Sequence, residues 1–256
     1  MIGVYDYTVI LTYISLLSAG AGIIVSLSGY GHPYVGIFFL LLCGLCDAFD
    51  GKVARTKADR TDLEKKFGIQ IDSLSDLVAF GVLPACIGTA MLWRSEFMGG
   101  LLGLNPGENI KMYTVTDFAA DMLGHSTTWY GILVRFFVVA IMMLFVLAAM
   151  IRLAYFNVTE EERQKEEGGA ARKSYTGLPV TSSAIIFPTV ALIQYVTKPD
   201  LTIFYFVTMI LTGFAFLSKS IQIKKPGVKQ IMIMVIIGAL EFLALILTMI
   251  FSSNRI

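Results

Sequence analysis

Long apolar runs alternate along the chain with short polar connections. Seven runs are long enough to be read as membrane-spanning helices: 8–30, 34–56, 70–93, 129–156, 178–197, 201–218 and 230–252. A helix needs ~20 apolar residues to cross the hydrocarbon core of a bilayer. The pattern predicts an all-α polytopic transmembrane helix bundle, one membrane domain over 1–256. Its longest connection, 94–128, carries the turn signal Asn105-Pro106-Gly107. Within shorter connections, Thr61 or Asp62 is placed to cap a helical turn leading to Gly68. Pro179 is placed to open a helix and Pro188 to kink it.

Composition agrees with the pattern. Hydrophobic residues make up 56% of the 256-residue chain and the mean hydropathy is +0.72, which sets it apart from soluble globular domains. The first span lacks a basic leader and a small-x-small cleavage site, so no cleaved signal peptide is expected. A net charge of +1 gives no reason to expect a nucleic-acid partner. Cys43 and Cys46 lie inside an apolar span and read as small apolar filler, and His32 and His125 have no metal-ligand spacing.

One polar pattern interrupts the apolar ones. It runs Asp47-x2-Asp50-Gly51-x2-Ala54-Arg55-x12-Gly68-x3-Asp72-x3-Asp76. A charge within a span costs at least ~2.5–3.5 kcal/mol, so it is paired or functional. Asp47, Asp50, Gly51 and Ala54 share one helix face, and Gly68, Asp72 and Asp76 share another. The short link between the two helices makes them antiparallel, with four carboxylates around one small volume. Four charges of one sign need a cation. Hard oxygen ligands suit Mg, Mn or Ca. Gly51, Ala54 and Gly68 leave room beside the acids for a ligand or for close helix packing. The bland alternative is a buried ion-pair network drawing on Lys52, Arg55, Lys57, Asp59 and Asp62. No P-loop and no Ser-His or Cys-His arrangement competes for the chemistry.

At all eight positions the pattern resembles the signature of the CDP-alcohol phosphotransferases, integral membrane enzymes of phospholipid synthesis. The resemblance implies a six-helix core, here with one additional span taken as 230–252. It implies that Asp47, Asp50, Asp72 and Asp76 hold two divalent cations, Mg or Mn. It further implies that Asp76 is the general base, and that Asp50, Gly51, Ala54, Arg55 and Gly68 line the cytidine nucleotide pocket. Members of the family are commonly homodimers.

The acceptor alcohol is sought further along. Asp72-Ser-Leu-Ser-Asp76-Leu-Val-Ala-Phe-Gly81, Arg152-Leu-Ala-Tyr-Phe-Asn157 and Gly177-Leu-Pro179-Val-Thr181-Ser182 look like segments of the branch that transfers to L-serine from CDP-diacylglycerol. Tyr155 stands where that branch has Arg. A serine site needs a carboxylate partner and must tolerate an ammonium group. Arg152, Asn157, Arg172, Lys173, Thr181 and Ser182 are the acceptor and diphosphate candidates. Within the family, glycerol 3-phosphate and inositol phosphate are the alternative acceptors. From another class, a divalent-cation transporter would also carry intramembrane acids.

Orientation follows from Lys and Arg, which favour the cytoplasmic side. With seven spans, 15 of the 20 basic residues fall on the side of 57–69, 157–177 and 219–229. That side, with the acidic motif, is expected to face the cytoplasm of a bacterial or archaeal cell. A Lys111→Cys variant without the native cysteines should therefore label from outside intact cells. Labelling only from the cytoplasmic side would overturn the seven-span topology.

Overall fold

A computed structural model of the chain describes residues 3–28, 33–57, 59–95, 129–166, 174–197 and 199–224, with isolated helical positions between 236 and 247. The expected span 230–252 and the connection 94–128 therefore lie almost wholly outside the described residues.

A 3-10 turn, Tyr7–Val9, leads into α1, Ile10–Leu27. Asp6 caps the turn by accepting from the Thr8 amide at 2.9 Å. Helix α2, Pro33–Ala54, begins at proline, whose missing N–H is no loss there. Helix α3, Asp62–Asp76, opens with a capping box. Thr61 Oγ1 accepts from the Glu64 amide and the Glu64 carboxylate accepts from the Thr61 amide. The chain then continues without a break through a π-helical turn, Leu77–Val82, into α4, Leu83–Arg94. Pro84 explains the wider turn: it has no N–H for the fourth carbonyl back, and the Leu83 amide bonds instead to Val78 O. The expected span 70–93 is thus the inner part of one 33-residue helix, Asp62–Arg94.

Helix α5 runs from Trp129 to Glu166, 38 residues. The helix expected over 129–156 is corrected here: it continues to Glu166. Polarity ends the apolar span but not the helix, because Glu, Gln, Arg and Lys are good helix formers in water. Arg163 bonds Glu160 one turn back at 2.6 Å. Strand β1, Ser174–Thr176, pairs antiparallel with β2, Gln222–Lys224, with Tyr175 opposite Ile223. Between them lie a 3-10 turn, Val180–Ser182, helix α6, Ser183–Thr197, which contains Pro188, and helix α7, Thr202–Leu217. The fold is an all-α polytopic bundle with this one small ribbon added.

Among the described residues four helices are long and apolar enough to cross a membrane: Tyr7–Leu27, Pro33–Ala54, Asp62–Arg94 and Phe136–Arg163. Val180–Gln194 and Thr202–Leu217 are apolar but shorter. Leu17, Ile24, Met143 and Phe214 are exposed, as on a lipid-facing surface. The chain is an integral membrane protein.

The helix Asp62–Arg94 is central: 67% of its apolar stretch is buried, against 28–39% for the other three spans. Its Phe80, Leu83 and Ile87 pack with Ile37 and Leu40 of α2, Phe145 of α5, Phe187 of α6 and Met209 and Phe216 of α7. Phe187 meets Phe145 edge-on, with ring centroids 5.4 Å apart. Buried Tyr205 donates its hydroxyl to Pro84 O at 2.8 Å, which ties α7 to the end of the π turn. Helices α2 and α6 touch through Gly44, where an added Cβ would stand 2.6 Å from the Ala184 Cβ. Gly44→Val should therefore lower stability by about 1–3 kcal/mol through overpacking, read as a fall in melting temperature of the detergent-solubilised protein. An unchanged melting temperature would mean that the two helices separate freely at this contact.

Candidate metal centre and adjoining cleft

The first half of the motif occupies the last two turns of α2 and the second half runs through α3. Residues 55–61 join these antiparallel helices and α1 packs across both. Asp47, Asp50 and Asp72 come together: each offers a carboxylate oxygen, and these oxygens lie within 4.8 Å of one another. All three are half-buried. Asp76, one turn further along α3, is buried at 8% exposure.

The basic residues nearby are engaged elsewhere. Lys57 bonds Asp6 and Glu64, each at 2.8 Å. Lys65 pairs with Asp62 at 3.6 Å. Lys52 lies over the Phe49 ring, and Arg55 Nε donates to Gly51 O at 2.7 Å. Among the described residues no Lys or Arg forms a salt bridge with Asp47, Asp50, Asp72 or Asp76. The ion-pair alternative therefore has no partner to supply. A set of carboxylate oxygens this close, at a membrane-embedded helix end, fits hard divalent cations.

Beside the acids an open cleft of about 170 Å³ is walled by Asp50, Gly51 and Ala54 of α2 and by Gly68, Ile69 and Asp72 of α3. The N-terminal turn and α1 add Thr8, Val9 and Thr12, and the α2–α3 connection and first turn of α3 add Arg60 and Lys65. Of the expected nucleotide residues, Asp50, Gly51, Ala54 and Gly68 line the cleft. Arg55 does not: it is exposed and folded back on the backbone of Gly51. Thr8, Thr12, Arg60 and Lys65 were not expected. Thr8 and Thr12 carried a signal, two hydroxyls four apart at the start of an apolar run. Arg60 and Lys65 lay hidden in a charged run that reads as a solvated loop.

The described acceptor candidates lie at two places, the α3–α5 contact and the 177–183 turn. Asn157 Nδ2 donates to Ser73 Oγ at 2.7 Å, which binds α5 to α3 next to Asp72. Arg152 is buried; its Nε donates to Leu178 O at 3.1 Å and its Nη2 to Gly177 O at 3.5 Å. Gly177 has φ +81°, a conformation that favours glycine, and its amide donates to Ile221 O at 2.7 Å. Ser182 Oγ donates to Pro179 O at 2.6 Å, and Thr181 is half-buried beside it. This turn packs on the π turn that follows Asp76. Arg172 and Lys173 lie outside the described residues.

Residues 8–102 match the family described as CDP-alcohol phosphatidyltransferase. The matched stretch contains all eight positions of the acidic motif. Among curated CDP-alcohol phosphatidyltransferase relatives, it is 32% identical over 179 residues to the CDP-diacylglycerol–serine O-phosphatidyltransferase of Saccharomyces cerevisiae, covering 67% of this chain and 49% of that protein. It is 30% identical over 173 residues to the archaetidylserine synthase of Methanothermobacter thermautotrophicus, covering 67% and 53%. With the CDP-diacylglycerol–serine O-phosphatidyltransferase of Helicobacter pylori it shares 26% identity over 156 residues, covering 60% and 45%. The chain thus spans about half the length of the curated relatives it matches.

The cleft wall formed by the N-terminal turn is pinned by charge. The Lys57 ammonium beside Asp6, with the Thr8 hydroxyl, lowers the Asp6 carboxyl from 3.8 to about 2, and Asp6 and Glu64 raise Lys57 in turn. A depressed carboxyl stabilises the fold above its unfolded value and loses that contribution as pH falls through its folded value. Melting temperature should therefore fall between pH 4 and pH 2 more steeply in the wild-type protein than in Asp6→Asn. Parallel profiles would mean that the contact adds nothing to stability.

Proposed function

We propose that this protein transfers a phosphatidyl group from CDP-diacylglycerol to the hydroxyl of L-serine, giving phosphatidylserine and CMP. The carrying observation is the group of acids on α2 and α3, without a salt-bridged basic partner among the described residues and beside a cleft lined by the small residues of the motif. The names of the relatives at 26–32% identity support serine as the acceptor. The archaetidylserine synthase among them has the same headgroup product as its name states, so an ether-linked lipid donor is the second reading.

In this reading Asp47, Asp50, Asp72 and Asp76 hold two divalent cations, Mg or Mn. Bound there, such cations would supply charge neutralisation for a diphosphate. The protein positions the rest, which is most of what phosphoryl-type transfer requires. Gly51, Ala54 and Gly68 admit the cytidine nucleotide, and Arg55 braces the α2 end through the Gly51 carbonyl. Asp76 is the general base. It stands at the buried end of the row, one residue before the π turn on which Val180–Ser182 packs. It takes the proton of the serine hydroxyl as that oxygen bonds to phosphorus and the bond from phosphorus to CMP breaks. Asn157, Thr181 and Ser182, with Arg172 and Lys173, form the acceptor side, and Arg152 fixes its turn. The active site faces the cytoplasm of the cell membrane, and the chain works as a homodimer.

The direct test is CMP release by purified protein from CDP-diacylglycerol with Mg or Mn. Release should require serine, and glycerol 3-phosphate or inositol phosphate should not replace it. Release with another alcohol would discard serine and keep the chemistry of the acids. No release with any acceptor would return the acids to cation transport. Asp76→Asn should keep the melting temperature within a few degrees and slow turnover by roughly 10²–10⁴-fold, the contribution of a positioned base. Near-wild-type turnover in that variant would remove the assignment.

A further inference from the structure

Position 68 of the motif has a neighbour that its spacing does not reveal. An added Cβ there would stand 2.7 Å from Arg60 Nη2, closer than real Cβ contacts come. The glycine leaves a seat that the guanidinium fills. Arg60 Nη2 donates to Glu64 O at 3.2 Å and Nη1 reaches Ala54 O at 3.5 Å. Backbone from both motif helices thus fixes the head of the side chain. Its Nε is buried and has no hydrogen-bond partner among the described residues. A guanidinium has five donors, and leaving a buried one unpaired is costly. Arg60 also borders the same cleft as Asp50 and Asp72, and Lys65 borders it too. Its planar fork suits phosphate oxygens, which it can hold as a pair of charge-assisted bonds.

We propose that Arg60 is a nucleotide-binding residue whose guanidinium donates to a phosphate oxygen of the cytidine nucleotide in the cleft. Position 68 is glycine because a side chain there would displace that guanidinium. The inference rests on the nucleotide reading of the cleft and adds to it a ligand outside the eight-position motif. It also gives Gly68 a different role, seating a protein side chain instead of simply leaving space for the ligand.

The test is CMP binding to the detergent-solubilised full chain in the presence of Mn, by calorimetry, with melting temperature measured in parallel. Arg60→Ala should weaken CMP binding roughly 10- to 100-fold, the range for a hydrogen bond to a charged group. Gly68→Ala should weaken it similarly, but should change affinity less than about threefold when Arg60 is already Ala. If Arg60→Ala does not yield folded protein, Arg60→Lys is read instead: it keeps the charge but loses the fork, and should also weaken binding. A lowered melting temperature with unchanged CMP affinity would make Arg60 a structural cap and overturn the inference, leaving the nucleotide reading intact. An equal penalty for Gly68→Ala in both backgrounds would overturn the explanation of the glycine. A folded wild-type protein that does not bind CMP at all would overturn the nucleotide reading and this inference with it.

Discussion

Everything in the structure turns on holding like charges together where they repel. Three carboxylate oxygens of half-buried side chains lie within 4.8 Å, with buried Asp76 one turn deeper. Their mutual repulsion grows as the effective dielectric falls. None of the four is neutralised by a described basic residue. Among the described residues no salt bridge joins α2 to α3 at this level. The attraction comes from elsewhere, from the apolar packing of Phe80, Leu83 and Ile87 against four other helices. A cation that binds these acids would favour the folded chain by mass action. Packing, charge and ligand are in that sense one problem.

The π turn shows how the packing reaches the acids. Below it, α3 is polar and presents Asp72 and Asp76; above it, α4 is apolar and lies in the core. The change occurs within one continuous helix, so the core fixes the angular position of the acids directly. Pro84 forces the wider turn, and Tyr205 takes up the Pro84 carbonyl from α7. The 177–183 turn packs on the same segment. The core and the 177–183 turn are therefore joined through six residues, Leu77–Val82.

Much of this was legible in the sequence. The facing of Asp47 with Asp50, and of Asp72 with Asp76, follows from helical periodicity alone, and the short link dictates antiparallel helices. The Thr61 cap is equally local. What escaped depends on contacts between distant segments. The β-ribbon pairs Ser174–Thr176 with Gln222–Lys224, too short and too far apart for either to show a pattern. Arg60 and Lys65 read as loop charges until α1, α2 and α3 are assembled around the cleft. The length of α5 is hidden for another reason: its polar end reads as a loop, although hydropathy reports membrane exposure and not helicity.

Arg152 illustrates the same limit from the side of charge. From sequence it is a cation near a site that handles phosphate and a carboxylate, and a direct contact is the natural expectation. In the fold it is buried, it donates to the Gly177 and Leu178 carbonyls, and it lies 5.8 Å from the Phe156 ring centroid. A buried guanidinium is costly unless its donors are met, and these carbonyls meet them. Gly177 can offer its carbonyl here only because φ +81° is open to it, and a Cβ would stand 2.8 Å from Phe216 O. The arginine and the glycine thus fix one turn between α5 and α7. At Arg60 and Gly68 the arrangement is similar but incomplete, because Arg60 Nε has no hydrogen-bond partner among the described residues. In both places a glycine of a recognisable segment makes room for an arginine held by backbone, so the two halves of the site share one device.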